Sequence, residues 1–135
     1  MSEVHEGGCL CGAVRYRAES KPTNVNHCHC RMCQRGSGAP VVTWATFPMS
    51  RFKWTKGAPT IRRSSNIAVR GFCGACGSAL LWQGDAHADL IDITAGSLDK
   101  PETIAPNEHL WTESAVPWLH IEDELPRHER ARGQS

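Results

Sequence analysis

Seven cysteines in three groups are the residues of this chain best suited to chemistry. The groups are Cys9-Leu10-Cys11, Cys28-His29-Cys30-Arg31-Met32-Cys33 and Cys73-Gly74-Ala75-Cys76. Cysteine thiolates are common ligands of tetrahedral zinc. A C-x-C pair on an extended segment directs both thiols to one face of the strand, and C-x-x-C followed by a glycine suits a tight turn around one ion. The spacing therefore predicts metal binding.

The number of cysteines predicts two sites of different kinds. A closed structural zinc site takes four ligands, which leaves three of the seven cysteines for a second site. The second set, taken from the central group, is Cys28, Cys30 and Cys33. The structural site then uses the outer pairs, Cys9, Cys11, Cys73 and Cys76. A three-cysteine zinc site keeps an open position for water or substrate, as catalytic zinc sites do, so its cysteines are our predicted catalytic residues.

Three alternatives to this division remain open at the level of the sequence. A histidine can close the second site, and the candidates are His5, His87, His109 and His120. His27 and His29 suit this role poorly, because on a strand they face away from Cys28. A single cluster with bridging thiolates, or an iron–sulfur centre, is the second alternative, although C-x-C pairs do not match ferredoxin spacings. Disulfides are the third, and the odd cysteine count and the polar start, Met1 to Glu6, argue against them. We therefore expect a cytoplasmic protein with reduced thiols.

Length and charge are those of one small domain with a small-molecule role. The 135 residues carry 15 basic and 14 acidic side chains, a formal charge of +1. This balance gives no electrostatic footprint for nucleic acid or an anionic membrane, and no apolar run approaches the roughly 20 residues of a membrane helix. We predict a domain over residues 1–125 and a polar, solvated C-terminal tail over residues 126–135.

The hydrophobic pattern predicts an all-β fold. Alternating, β-branched or apolar residues form five short runs bounded by Gly, Pro, Asn or Ser, over residues 13–18, 41–47, 67–72, 78–82 and 89–95. Short runs of this kind indicate strands with one or both faces buried. No long run has the period of a helix, and Arg31 to Arg35 is predicted to form at most one helical turn.

Three segments carry a resemblance to a known family. They are residues 8–12, 27–33 and 72–78, each built around one cysteine group, with shorter matches at residues 36–39, 95–99 and 109–111. In this order they resemble the glutathione-dependent formaldehyde-activating enzyme family, whose domain is shared with centromere protein V. The resemblance runs from about Gly7 to Trp118. It implies a single domain of small, twisted antiparallel β-sheets, with a structural zinc ion on the outer pairs and a more labile one on the central group.

The resemblance also implies an activity, that of a carbon–sulfur lyase similar to S-(hydroxymethyl)glutathione synthase. Its partner would be glutathione or another small thiol, as an aldehyde adduct such as S-hydroxymethylglutathione. Two alternatives are a zinc-stabilised binding module without turnover and an enzyme of the same fold that acts on a different carbonyl, imine or thiol compound. Neither nucleic acid nor a membrane is expected as a partner, and a homo-oligomer is compatible with the sequence.

Residues outside the cysteine groups are secondary candidates for this activity. They are His29 and His109 for proton transfer, Arg31, Arg35 and Arg70 for the carboxylates of glutathione, and Trp111 and Trp118 for a pocket wall. Histidine titrates near neutral pH, a guanidinium group binds a carboxylate through two hydrogen bonds, and tryptophan offers a large apolar surface. The alternative interpretation is that the arginines are exposed to solvent, that the histidines lie at the surface or only contact a metal-binding residue, and that the tryptophans belong to the core.

Overall fold

The structure, a computed structural model, describes residues 3–132 of the chain. This part of the chain contains ten strands and one α-helix. In chain order the elements are β1 (His5–Gly8), β2 (Arg15–Ala18), β3 (Asn24–Cys28), α1 (Arg31–Ser37), β4 (Val42–Pro48), β5 (Phe52–Lys56), β6 (Thr60–Arg63), β7 (Ala68–Phe72), β8 (Ala79–Gly84), β9 (Leu90–Thr94) and β10 (Glu108–Leu110). Short 3-10 turns occur at Met49–Arg51, Asp85–His87, Ala95–Ser97, Pro101–Thr103 and Thr112–Ser114. None of the described helices has the length and hydropathy needed to cross a membrane.

The strands form two sheets of unequal size. A three-stranded sheet has the order β1-β2-β5, and a seven-stranded sheet has the order β10-β3-β4-β9-β8-β7-β6. All pairs are antiparallel except β10 with β3. The predicted all-β, antiparallel fold in a single domain is confirmed. The one parallel pair joins β3 to β10, two strands that are far apart in the sequence. Parallel strands need a long connection, and the intervening chain provides it.

The hydrophobic core lies between the two sheets. Tyr16 of β2, Phe47 of β4 and Ile93 of β9 are fully buried there. The Tyr16 hydroxyl lies 2.6 Å from the Ser97 hydroxyl, so the buried phenol keeps a hydrogen-bond partner. Because side chains alternate along a strand, the positions between these core residues point to the opposite face of the large sheet.

That opposite face, which we call the cleft face, carries Asn26, Cys28, Trp44, Thr46, Arg70, Trp82 and Asp92. The strand register aligns these side chains across the sheet: Asn26 pairs with Trp44, Thr46 with Asp92, Asp92 with Trp82, and Trp82 with Arg70. Residues that pair directly across strands point to the same face. The sheet therefore brings together side chains from five strands that are far apart in the sequence.

The sequence pattern located half of the strands. The five predicted runs correspond to β2, β4, β7, β8 and β9, and the predicted helical turn corresponds to α1, which continues to Ser37. The strands that the pattern did not indicate are β1, β3, β5, β6 and β10. Among these, β1 reads HEGG, β3 reads NVNHC and β10 reads EHL. Such segments lack an apolar alternation of their own, so only pairing with neighbouring strands makes them extended.

The polar segment after residue 125 runs beside β10. The His128 amide donates to the His109 carbonyl at 2.9 Å, and the Trp111 amide donates to the Arg130 carbonyl at 3.0 Å. Arg132 Nε donates to the Glu108 carboxylate at 2.6 Å. The backbone of residues 126–130 and the side chain of Arg132 are thus attached to the sheet, a feature that a solvated tail does not include. The rest of the predicted tail, residues 133–135, lies outside the described residues, and the domain boundary at residue 125 remains a prediction.

Candidate functional site

One set of cysteines, which we call the four-cysteine group, lies where the small sheet meets the end of β7. Cys9 and Cys11 follow β1, and Cys73 and Cys76 follow β7. The Sγ atoms of Cys9 and Cys11 are 3.6 Å apart, and those of Cys11 and Cys73 are 3.8 Å apart although 62 residues separate them in sequence. All four sulfurs lie within 4.8 Å of one another. The group therefore joins the two sheets at one point.

Each pair in this group sits on a turn that ends in a glycine with positive φ. Gly12 has φ 80° and Gly77 has φ 83°, a conformation that glycine adopts without a Cβ clash. Within the second turn the Cys76 amide donates to Cys73 Sγ at 3.4 Å. Hydrogen bonds from the Ser78 hydroxyl and backbone lower the pKa of Cys76 to about 5. The turns thus bring the sulfurs together, and the Ser78 contacts favour the thiolate form of Cys76.

The second set, which we call the three-cysteine group, lies at the junction of β3 and α1. Cys28 ends β3, Cys30 is the N-cap residue of α1, and Cys33 lies in the first turn of the helix. The Cys33 amide donates to Cys30 Sγ at 3.2 Å, which satisfies one of the amides that a helix start leaves without a partner. The Cys28 and Cys33 sulfurs are 3.5 Å apart, and all three lie within 4.8 Å of one another.

The two groups are separate, and each has the composition that the cysteine spacing predicts. All seven cysteines lie within residues 3–132 and are free thiols. Within the same range no histidine belongs to either group. These observations argue against a disulfide scaffold, against a single cluster with bridging thiolates and against a second site closed by a histidine. Each group can hold a metal ion.

Arg70 of β7 faces the three-cysteine group. Its Nη2 donates to Cys33 Sγ at 3.4 Å, and its guanidinium carbon lies 5.9 Å from the centre of the Trp44 ring. Hydrogen bonds from Cys28, Cys30 and Arg70 lower the pKa of Cys33 to about 2. The same sulfur contacts raise the pKa of Cys28. Cys33 is therefore the sulfur of this group that lies next to a guanidinium group.

A cleft of about 470 Å³ opens on the cleft face, and all members of the three-cysteine group line it. Its apolar walls are Met32, Trp44, Ile67, Trp82, Leu110 and Trp111. This volume and a mainly apolar lining are typical of small-molecule sites. None of the cysteines of the four-cysteine group lines this cleft. Of the two cysteine groups, only the three-cysteine group is therefore placed to meet a substrate there.

Two polar side chains of the cleft were not predicted from the sequence. Asn26 of β3 is 4 % exposed, and its Oδ1 atom has no hydrogen-bond partner among the described residues. Asp92 of β9 accepts a hydrogen bond from the Thr46 hydroxyl at 2.5 Å, and burial raises the pKa of its carboxyl group. The one available signal was local: Asn26 stands two residues before Cys28, so the two share a face once β3 is known to be a strand.

The part of the chain that carries both cysteine groups matches a known family. The sequence profile described as "Glutathione-dependent formaldehyde-activating enzyme" matches residues 4–114, a range that contains both cysteine groups. The chain belongs to this family. A Halomonas elongata protein named "Putative glutathione-dependent formaldehyde-activating enzyme" is 31% identical over 127 residues, which cover 87% of this chain and 80% of that protein.

Two further relatives of this formaldehyde-activating family member are more distant. A Schizosaccharomyces pombe protein named an uncharacterized lyase is 29% identical over 84 residues, or 56% of this chain and 55% of that protein. The crystal structure of a Rhodobacter sphaeroides protein matches with a TM-score of 0.58 at 24% identity, covering 70% of this chain and 87% of that chain. This structural likeness supports the fold.

The histidines that were candidates for proton transfer in this family member lie away from the cleft lining. His29 Nε2 is 2.8 Å from His109 Nδ1, and His109 Nε2 is 2.8 Å from Asp123 Oδ2. The hydrogen bond from His109 lowers the pKa of Asp123 to about 2, so Asp123 is the acceptor. Burial lowers the pKa of His29 to about 4. This buried chain joins β3 and β10 to the segment at Asp123, and neither ring lines the cleft.

Some of the other secondary candidates line the cleft and some do not. Arg31, Arg70 and Trp111 line the cleft, whereas Arg35 and Trp118 do not. Trp118 is 69 % exposed. Trp111 has φ 58°, which makes it the only non-glycine residue with positive φ in the described range. An aromatic residue in this conformation is strained, and such strain persists where the surroundings hold a side chain in place.

Proposed function

We propose that this chain is a zinc-dependent carbon–sulfur lyase that acts on adducts of glutathione or another small thiol with an aldehyde, as in S-hydroxymethylglutathione. The observation that carries the proposal is the position of the three-cysteine group, whose members all line the cleft. Family membership supports it, because the family description contains glutathione and formaldehyde and one relative is named a lyase.

The donor sets of both groups fit zinc. Soft thiolates favour zinc over magnesium or calcium, and backbone amides donate to Cys9, Cys30 and Cys73 in the two groups. Hydrogen bonds to the charged form stabilise a thiolate. We therefore propose a structural zinc ion on the four-cysteine group, Cys9, Cys11, Cys73 and Cys76. The three-cysteine group, Cys28, Cys30 and Cys33, would hold a second, more labile ion and form the catalytic site.

Three cysteines leave one position of a four-coordinate ion for the substrate. A zinc ion bound there would stabilise the substrate thiol as its thiolate near neutral pH. The anionic sulfurs of the group make the site less suited to generating hydroxide than one with neutral histidine ligands, because they offset the charge of the ion. This donor set therefore favours thiol chemistry over hydrolysis.

The reaction itself needs few groups from the protein. The carbon–sulfur bond of the adduct breaks and its electron pair stays on sulfur, while the hydroxyl oxygen becomes the carbonyl oxygen of the aldehyde. The hydroxyl proton passes to solvent, and the thiol takes up a proton when it leaves. Arg70 contributes positive charge beside Cys33 Sγ. This charge would stabilise the negative charge that develops on the substrate sulfur as the carbon–sulfur bond breaks. The reverse sequence forms the adduct.

Arg31 is the residue best placed to bind a carboxylate of glutathione. It lines the cleft and is exposed, and one of its nitrogens contacts the Gln34 side chain. A guanidinium group has five N–H donors in a fork that matches a carboxylate. The remaining donors can therefore bind a substrate carboxylate at the edge of the cleft.

Exchange NMR tests the proposal directly. With glutathione and formaldehyde at equilibrium, the protein should accelerate exchange between formaldehyde and S-hydroxymethylglutathione above the uncatalysed rate. Cys30→Ser should abolish the acceleration while the circular dichroism spectrum is retained and the zinc content falls from two ions per chain to one. Acceleration that survives in Cys30→Ser would exclude the three-cysteine group as the site. Thiol binding without any acceleration would instead support a binding module.

A further inference from the structure

Asn26 presents a buried acceptor that the protein does not use. Its side chain lines the cleft and is 4 % exposed, yet Oδ1 has no partner among the described residues. More than nine in ten buried polar groups of native proteins have a hydrogen-bond partner, and an exception calls for an explanation. A ligand that donates a hydrogen bond from inside the cleft would provide one.

A hydrogen-bonded chain sets the orientation of the Asn26 amide. Arg132 donates to the Glu108 carboxylate, and Asn24 Nδ2 donates to the same carboxylate at 2.8 Å. A carboxylate only accepts, so the Asn24 amide group must point its nitrogen there and its oxygen towards Asn26. Asn26 Nδ2 then donates to Asn24 Oδ1 at 3.0 Å. The unpartnered atom of Asn26 is therefore an oxygen, and its complement is a hydroxyl or N–H group.

The walls around this acceptor are larger and more apolar than a one-carbon adduct requires. Trp44, Trp82 and Trp111 all line the cleft. Trp44 is buried even though its side chain forms part of the cleft wall. Trp111 is held there against its backbone preference, because its amide donates to the Arg130 carbonyl and its carbonyl accepts from the Ser114 amide. The hydroxymethyl group of a formaldehyde adduct has a single carbon, which cannot cover three indole rings.

We propose that the preferred adduct of this cleft carries an apolar group, an aromatic ring or a branched alkyl chain, that packs among the three tryptophans, and that the hydroxyl group of the adduct donates a hydrogen bond to Asn26 Oδ1. This inference rests on the proposed function and names its substrate class. The apolar group can come from the aldehyde or from the thiol, and both lead to the same bond changes at carbon and sulfur. Asn26 orients the hydroxyl group, since an amide oxygen accepts a hydrogen bond without taking the proton.

Turnover of three adducts tests the apolar group and its source. The adducts are those of glutathione with formaldehyde, glutathione with phenylacetaldehyde, and benzyl mercaptan with formaldehyde. We expect kcat/KM for at least one aromatic adduct to exceed that of the formaldehyde–glutathione adduct by about 10-fold or more, the scale that a few buried carbons provide. The aromatic adduct with the higher kcat/KM shows whether the apolar group comes from the aldehyde or from the thiol. If kcat/KM for the formaldehyde–glutathione adduct equals or exceeds that of both aromatic adducts, the inference is wrong although the proposed function stands.

Binding of stable thioethers tests Asn26 without any turnover. S-(2-hydroxyethyl)glutathione and S-propylglutathione differ by a hydroxyl group in place of a methyl group, and tryptophan fluorescence reports their binding. We expect the hydroxyl ligand to bind at least about 10-fold more tightly, since a site built to hydrogen-bond a hydroxyl group rejects its apolar analogue. Asn26→Leu should remove this preference, and Asn26→Ala gives the same readout with less bulk in β3.

The matched control is Asn66→Leu, which changes an exposed asparagine and should retain the preference for the hydroxyl ligand. A preference that survives in both Asn26 variants, or is absent from the unaltered protein, would overturn the role of Asn26. If no adduct is turned over but the preference depends on Asn26, the lyase proposal fails and the binding site stands. The two proposals are therefore distinguished by the experiment.

Discussion

The four-cysteine group and the three-cysteine group contain the same kind of side chain in different surroundings. Cys9 and Cys73 of the first are buried members of the core between the two sheets, and the group connects residues 62 positions apart. The members of the second come from one short strand-to-helix connection and face a cleft. A long-range link within a core stabilises a fold, whereas a local group beside a cleft can change its ligands without moving the sheets.

The charges around the groups follow the same division. Leu10 amide donates to the Ser78 hydroxyl at 2.9 Å, which ties the two turns of the four-cysteine group to each other. The three-cysteine group instead has Arg70 at 3.4 Å from Cys33. Backbone amides donate to sulfurs in both groups, so the guanidinium group is what distinguishes the three-cysteine group.

The largest contrast is expected from serine substitutions in the two groups. Cys73→Ser should leave the chain unfolded or lower its free energy of unfolding by about 5 kcal/mol, because a structural zinc ion contributes folding energy directly. Cys30→Ser should cost no more than about 2 kcal/mol, since the strand and helix it joins are also held by the sheet. Urea unfolding followed by circular dichroism measures both. Equal losses would remove the distinction between the groups.

Chelation should separate the groups within one molecule. We expect a chelator to remove one zinc ion rapidly, with loss of adduct exchange and an unchanged circular dichroism spectrum, and to remove the second only as the protein unfolds. The reason for this expected order is that a three-cysteine site with an open position would exchange ligands more readily than a closed four-cysteine site. Zinc content and spectrum recorded on the same samples provide the check. Simultaneous release of both ions would contradict this order.

Arg70 sharpens the comparison on the catalytic side. Arg70→Met should lower kcat by about 100-fold to 1,000-fold, because removal of one preorganised donor at a developing charge has an effect of that order. Arg70→Lys keeps the charge but loses the forked donors and the stacking on Trp44. Its kcat should lie between that of Arg70→Met and that of the unaltered protein. The free energy of unfolding of both variants should stay within about 1 kcal/mol of that of the unaltered protein. A variant with normal kcat would show that Arg70 has only a packing role.

Two glycines provide the smallest test. Gly77 in the four-cysteine group has φ 83° and open space where a Cβ atom would lie, so Gly77→Ala should cost about 1 to 2 kcal/mol through backbone strain alone. Gly36 lies in α1 beside the three-cysteine group and has no such conformation. Gly36→Ala should raise stability by up to about 1 kcal/mol, the difference in helix propensity. Thermal unfolding of the matched pair should therefore move in opposite directions.

Much of this protein could be predicted from short-range sequence patterns. Local spacing predicted which thiols lie side by side within each cysteine cluster, because turns and strands orient residues that are only a few positions apart. The same alternation predicted that His27 and His29 face away from Cys28 if the segment is extended, and neither ring lines the cleft. The all-β fold followed from runs of residues whose pattern is typical of strands. Each of these inferences depends on local geometry.

The composition of the cleft was decided by the tertiary structure. Asn26, Trp44, Trp82 and Asp92 lie on four strands whose order in the sheet, β3-β4-β9-β8, does not follow the sequence. Their meeting depends on strand order and register, which arise from pairing and packing over the whole chain. The attachment of residues 126–130 and Arg132 to β10 has the same origin. The sequence by itself determined how the seven cysteines divide, because the thiols within each cluster are only a few residues apart and a closed four-ligand site takes both outer pairs. Only the folded sheets brought those pairs together across 62 residues and decided what surrounds each group, because strand pairing is not local.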